Sequence, residues 1–214
     1  MDNAIKKMDR PIPLGVVKRL PVYYRFLTGL MKKEIERISS QELADKLGVT
    51  ASQIRQDLNH FGSFGRRGYG YRVKELQEVI AYILGINQRK NMVLVGAGNL
   101  GKAIANYSSF REKGFFIKAV FDNDPAKIGT VLANCKIKSI DFLEEFLCSN
   151  NIDIGILAIP VENSTIIAKM FEENGVKGIW SFAPINIKSR RNIVVENVHI
   201  SESLMTLSYK IQSE

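Results

Sequence analysis

Apolar positions recur at helical spacing near the start of the chain: over residues 16–37 they fall at Leu20, Tyr23, Tyr24, Leu27, Leu30, Met31 and Ile35. That spacing predicts a helix with one buried stripe, in which Pro21 is tolerable only near the helix start because proline has no N–H to give the preceding turn. The stretch SSQELADKLGVTASQIRQDLNHFG follows. Ser39 and Glu42 predict a capping box opening a short helix that buries Leu43, Ala44 and Leu47, and Gly48 is the left-handed residue that ends it. Thr50 and Gln53 predict a second capping box, opening a helix over residues 51–60 with Ile54 and Leu58 turned to the core. Two short helices joined by a tight glycine-containing turn make a helix-turn-helix. FGSFGRRGYGYRV, rich in glycine and aromatic residues, predicts a β-hairpin wing with Arg66 and Arg67 at its tip and a strand over 70–73. Helical spacing resumes over 73–84, and 85–90 reads as a linker.

From Asn91 the period changes. NMVLVGAGNLGKAIANY reads as a short apolar strand, a glycine-rich turn and a helix. FFIKAVFDNDP follows as a strand, DFLEEFLCSN as a helix and DIGILAIP as a fully buried strand. ENSTIIAKMFEENG is a helix and KGIWSFAP a strand. Strands alternating with helices predict a parallel sheet with crossover connections. The last segment, 201–212, places Leu204, Leu207 and Ile211 on one helical face, with Ile200 just before it. The pattern therefore predicts an α/β protein: an N-terminal winged helix (1–88), a C-terminal Rossmann domain (89–198) and a terminal helix (199–214).

Charge sharpens this division. Residues 1–88 hold 15 Lys and Arg against 9 Asp and Glu, whereas 89–214 hold 15 against 13, so most of the net +8 lies in the first part, where a polyanion would bind. No apolar run is long enough to span a bilayer and the N-terminus has no secretory core, so no membrane partner and a cytoplasmic location are expected. Cys135 and Cys148 have no thiol or histidine cluster around them and read as reduced, structural residues; no metal site is expected.

Gly96-Ala97-Gly98-Asn99-Leu100-Gly101 follows an apolar strand and opens a helix, the context in which a GxGxxG pattern binds a dinucleotide. Gly96 allows the tight turn, Gly98 lets a pyrophosphate approach the backbone, and Gly101 lets the helix pack on the strand. Asp122 ends the next strand, 21 residues beyond Gly101. A carboxylate there would accept hydrogen bonds from an adenosine ribose and repel a 2′-phosphate, which favours NADH and NAD+ over their phosphorylated forms. Ala158, Pro160 and Phe182 follow later strands, at carboxyl ends where ligands of such sheets bind. A turn used only for packing, or another adenine nucleotide such as coenzyme A, is the competing reading. No enzyme is expected. A dehydrogenase needs a proton-exchanging group beside the hydride. The only histidines are His60 and His199, no Tyr-x-x-x-Lys pair occurs, and there is no substrate-sized second domain.

In a helix-turn-helix the second helix lies in the major groove. Thr50, Ser52, Gln53, Arg55, Gln56 and Asn59 are the candidates there, glutamine and asparagine pairing bidentately with adenine and arginine with guanine or phosphate. Arg66 and Arg67 would reach phosphates or a minor groove. A helical module for protein contacts is the plainer alternative.

Taken together, KRLPVYYRFL, SSQELADKLGVTASQIRQDL, FGSFGRRGYGY, VGAGNLGKAIANYSSF, FDNDP and SFAP closely resemble the Rex family of bacterial redox-sensing transcriptional repressors, over nearly the whole chain. The resemblance implies a homodimer whose C-terminal helix is domain-swapped into its partner. It also implies binding to double-stranded DNA at a palindromic operator, with release when NADH is abundant relative to NAD+. The family's coupling arginine and tyrosine match Arg25 and Tyr107, but their aspartate partner aligns with His199. Trp180 stands where the family leads one to expect a smaller apolar residue, on the presumed nicotinamide side.

Overall fold

A computed structural model describes residues 12–62, 65–66, 69–187 and 193–212. The chain divides into two compact units, Met1–Asn87 and Gln88–Glu214.

The first unit runs α1 (Leu14–Met31), β1 (Arg37–Ile38), α2 (Ser40–Leu47), α3 (Ala51–Asn59), β2 (Gly65–Arg66), β3 (Gly70–Arg72) and α4 (Val73–Ile83). The strands form a small antiparallel sheet in the order β1-β3-β2, so this is a winged helix. Its core joins Leu20, Tyr23 and Leu27 of α1 to Leu43 and Ala44 of α2, Ile54 and Leu58 of α3, and Leu76 and Ile80 of α4. Ser39 and Glu42 form the full capping box, and Gly48 closes α2 at φ 67°. Three expectations are corrected. Thr50 accepts the Gln53 amide N–H, but the Gln53 side chain turns to Asp57 instead of returning to the cap, so that box is only half formed. The first helix stops at Met31 and does not continue to Arg37. Glu34 takes the left-handed conformation at φ 57°, Ile35 N–H bonds Leu30 C=O and Glu34 N–H bonds Met31 C=O. This is a Schellman stop with glutamate in the place usually held by glycine. Pro21 sits two turns inside α1, on its exposed face, where water can take up the carbonyl that proline leaves without a donor.

The second unit runs β4 (Lys90–Val95), α5 (Asn99–Ala105), α6 (Ser109–Glu112), β5 (Phe115–Asp122), β6 (Val131–Leu132), β7 (Cys135–Ser139), α7 (Leu143–Ser149), β8 (Ile154–Leu157), α8 (Val161–Glu173), β9 (Gly178–Ser181), β10 (Val194–Asn197) and α9 (Ile200–Gln212). The sheet order is β10-β9-β8-β4-β5-β7-β6, parallel throughout except for β6. Both faces are buried, which is why β4 reads as an unbroken apolar run. Val93, Val95 and Phe121 pack under α7 and α8 on one face, while Met92, Leu94 and Val120 pack with Ile104 of α5 on the other. Strand order reverses between β4 and β8, the switch point at which such sheets bind nucleotides.

Strands β1, β6, β7 and β10 were not expected. The β6–β7 hairpin turns on Ala133 and Asn134, at φ 51° and 65°, the two left-handed central residues of a type I′ turn. Alanine pays for its Cβ in that conformation. Ala133→Gly should therefore stabilise the second unit by about 1 kcal/mol, seen as a rise of about 2–4 °C in its melting midpoint.

Candidate functional site

The turn after β4 is held by its neighbours' backbones. Gly96 N–H bonds Phe121 C=O at 2.8 Å, and Ala158 N–H bonds Val95 C=O at 2.9 Å, so the carboxyl ends of β4, β5 and β8 meet at one point. Gly96 has φ 102°, and a Cβ there would overlap the Ala158 carbonyl; a Cβ on Gly101 would overlap the Gly96 carbonyl oxygen. Gly98 differs. It is the N-cap of α5, and a Cβ built on it would meet nothing within 4 Å. Two glycines thus serve chain packing, and the third faces open space where a ligand can reach the backbone.

That space is a cavity of about 640 Å³ whose lining includes Gly96, Gly98, Asp122, Ala158 and Pro160. Its size suits a ligand of the dinucleotide class. Ala97 is wholly buried beneath it, while Asn99 is exposed and Leu100 half-buried on α5. Phe182 lies apart from this lining, in edge contact with Trp180 at 4.6 Å; Trp180 in turn meets Phe110, and Phe110 meets Tyr107. Asn123, Lys127, Glu162 and Asn163, which sequence reasoning missed, also line the cavity.

Asp122 is buried and fully engaged. One carboxylate oxygen accepts the Ala97 N–H at 2.6 Å, the other the Asp124 N–H at 2.9 Å, and Lys127 Nζ lies 3.3 Å from both. Burial alone would push this carboxyl up, but these hydrogen bonds and the lysine charge outweigh it and hold it below the usual range. The residue read as a ribose acceptor therefore also fixes the glycine-rich turn.

In the first unit, Ser52, Gln56 and Asn59 are exposed on α3, Thr50 caps it, and Arg55 donates to Ser40 Oγ at 3.1 Å. Arg66 pairs with Gly70 across the wing, whereas Arg67 lies outside the described residues. Beneath α3 is an unexpected polar cluster. Asp57 is 0% exposed and accepts Arg19 Nε and Nη2 at 2.7 Å each, the Tyr23 hydroxyl at 2.6 Å and Gln53 Nε2 at 2.7 Å. Burial opposes ionisation, but these donors win and hold the carboxyl below its ordinary value, while burial and the carboxylate push the Tyr23 hydroxyl up. The signal was available: Asp57 shares the inward face with Ile54 and Leu58.

Arg25 is exposed on α1. Tyr107 is 57% exposed and packs edge-on against Phe110, and His199 Nε2 lies 3.0 Å from Asn186 Oδ1. Every described residue of α9 is exposed, Ile200, Leu204, Leu207 and Ile211 among them. Among the described residues no group of three or more His, Cys, Asp or Glu could hold a metal, and no helix is long and apolar enough to cross a membrane.

A winged helix joined to a Rossmann unit with an open glycine cradle defines a class: a DNA-binding module coupled to a nucleotide-binding one. Comparison with known proteins makes this specific. Residues 11–59 match the family described as "Putative DNA-binding protein N-terminus" and residues 87–185 the "CoA binding domain". The redox-sensing transcriptional repressor Rex of Clostridium botulinum is 50% identical over 197 residues, 92% of this chain and 94% of that protein. Rex of Clostridium novyi is 50% identical over 200 residues, 94% of this chain and 95% of that protein. Among solved structures, RSP, a Rex-family repressor, in complex with β-NAD+ and operator DNA is 46% identical, with a TM-score of 0.89 over 96% of this chain and 94% of that one. The same protein in complex with β-NADH is 44% identical, with a TM-score of 0.88 over 96% of both chains. The chain belongs to the Rex family of redox-sensing transcriptional repressors.

Two outcomes test the site's construction. Gly101→Ala should destabilise the second unit by on the order of 3 kcal/mol, because a Cβ there meets backbone that cannot move aside; urea melts measure it. Asp57→Asn should cost the first unit about 3 kcal/mol at pH 7, the lower end for a broken buried pair because Arg19 keeps partial access to water. A depressed carboxyl stabilises above the unfolded aspartate value of about 3.9 and loses that contribution as pH falls through its folded value. The gap between the variant and wild type should therefore narrow below about pH 4.

Proposed function

We propose that this chain is a DNA-binding transcriptional repressor that senses the NADH/NAD+ ratio and releases a palindromic operator when NADH is bound. The observation that carries this reading is similarity over 96% of the chain to a repressor solved both with β-NAD+ and operator DNA and with β-NADH. The cavity beside Gly98 supports it with a place for the nucleotide. Gly96, Ala97, Gly98, Asn99, Leu100 and Gly101 form the pyrophosphate turn, with Asp122 toward the ribose and Ala158, Pro160 and Phe182 toward the other half of the ligand. Thr50, Ser52, Gln53, Arg55, Gln56 and Asn59 face the operator, with Arg66 and Arg67 on the wing. The nucleotide is an effector and not a coreactant. Both redox states occupy one site, so switching requires that they favour different arrangements of the protein.

The working unit is a homodimer, located in the cytoplasm, in which α9 is exchanged between protomers. The unpacked apolar face of α9 supports this. Coupling runs through Arg25, Tyr107 and the position of His199. A neutral imidazole pairs with an arginine more weakly than a carboxylate does, and charge-assisted bonds contribute about 1.5–3 kcal/mol, the size of a typical allosteric coupling.

Fluorescence anisotropy on a labelled operator, at one salt concentration because phosphate contacts are salt-dependent, tests the reading. NADH should release the DNA at concentrations where NAD+ does not; failure of both nucleotides to bind at micromolar levels sinks it. His199→Asp should lower the NADH concentration needed for release about ten-fold, and an unchanged midpoint removes His199 from the coupling.

A further inference from the structure

Gln53, third in the recognition helix α3, would ordinarily be free to read a base with either end of its amide. Here one end is spoken for. Its Nε2 lies 2.7 Å from the buried carboxylate of Asp57, one helical turn on, and that carboxylate is also gripped by Arg19 and Tyr23. Asp57 remains ionised in this setting, so it can only accept. Turning the amide over would set two acceptor oxygens 2.7 Å apart inside a half-buried pocket, and a donor of Gln53 must therefore face inward. The other amide atom, Oε1, makes no hydrogen bond to any described residue. It is also not a buried unsatisfied atom: among the described residues only Asn91 Oδ1 is. Gln53 Oε1 is therefore open to solvent on the helix that the proposed function lays in the major groove.

We propose that Gln53 reads the operator with fixed polarity, through Oε1 as acceptor for an exocyclic amino group, either adenine N6 or cytosine N4, while Asp57 holds the amide against reversal. Guanine O6 and thymine O4 present acceptors in the same groove, and a locked carbonyl oxygen rejects them. A glutamine free to turn over would accept either kind of base. Arg19 and Tyr23 act at one remove, as positioning residues that hold Asp57.

The inference rests on the proposed DNA-binding function, and its test separates the two. A duplex is first selected by the wild-type chain from a randomised palindromic library; if none is retained, the function itself fails. On the selected duplex, each base pair is replaced symmetrically in both half-sites and affinity is read by anisotropy at fixed salt. Gln53→Met keeps the side chain's length and removes the amide, leaving three donors on Asp57. At one position, wild type should favour an amino-bearing base over a keto-bearing one by about ten-fold, the worth of one good hydrogen bond, and Gln53→Met should lose that preference there and nowhere else. Which base is selected distinguishes adenine from cytosine. Replacing a selected adenine by purine, which lacks the 6-amino group, or a selected cytosine by its analogue without the 4-amino group, should cost wild type the same factor and leave Gln53→Met unaffected. An unchanged profile in Gln53→Met, or a wild-type preference for a keto base at the affected position, overturns the proposal.

Discussion

The nucleotide-binding unit depends on a backbone approach so close that it excludes side chains. Where β4 ends, Gly96 is pressed against the carbonyl of Ala158 from β8, and Gly101 of α5 is pressed against the carbonyl of Gly96. Sheet, turn and helix thus meet main chain to main chain at this point. The open side of Gly98 exists because the other two glycines draw α5 down onto the sheet. A buried Ala97 N–H without a partner would cost about 1–3 kcal/mol, and Asp122 supplies that partner from the neighbouring strand. The desolvation of Asp122 is offset in turn by the Asp124 N–H and Lys127. The shape of the cavity and the charge at its rim follow from one packing constraint.

The winged helix solves a different problem with related chemistry. Apolar contacts in the core shared by α1 and α3 are non-directional, and such contacts hold a helix against its support with little hold on its rotation. Asp57 adds direction. A bidentate arginine, a phenol and an amide converge on one buried carboxylate, three of these four bonds coming from α1. Removing Arg19 would leave a buried carboxylate without its counter-charge, the loss that an interior tolerates least. The cluster therefore sets the rotation of the recognition helix more sharply than packing of Ile54 and Leu58 would.

Much of this was legible because it is written in local chemistry. The Ser39–Glu42 box marks a helix start, and Gly48, at φ 67°, marks a stop. What escaped reading broke the same rules. Glu34 stops α1 where no glycine announces it, so helical spacing reads on as far as Arg37, the first residue of β1. Ala133 and Asn134 turn a hairpin without the Asn-Gly or Asp-Gly pair that signals one. Strands as short as β1 and β6 carry no periodicity of their own and exist only through their partners. Of the polar cluster, only the inward place of Asp57 is legible locally: its members lie up to 38 residues apart, and only the fold brings them together. The glycine fingerprint, by contrast, is compact, since turn, cradle and helix start lie within six residues.

The terminal helix shows where a single chain's physics stops being sufficient. An isolated 13-residue helix is marginal in water, yet Ile200, Leu204, Leu207 and Ile211 of α9 are each more than half exposed. Each such side chain is worth about 1.5–3 kcal/mol when buried, so a surface that takes up Ile200, Leu204, Leu207 and Ile211 outweighs any coupling made by a single polar contact. Under the proposed exchange between protomers, dimer assembly is therefore insensitive to the residue at position 199, while switching is not. On that proposal a histidine can stand there without loss of the dimer, because the apolar face would anchor the helix. The energy that a carboxylate would add at that position would, under the same proposal, belong to the difference between two states of the dimer and not to its formation.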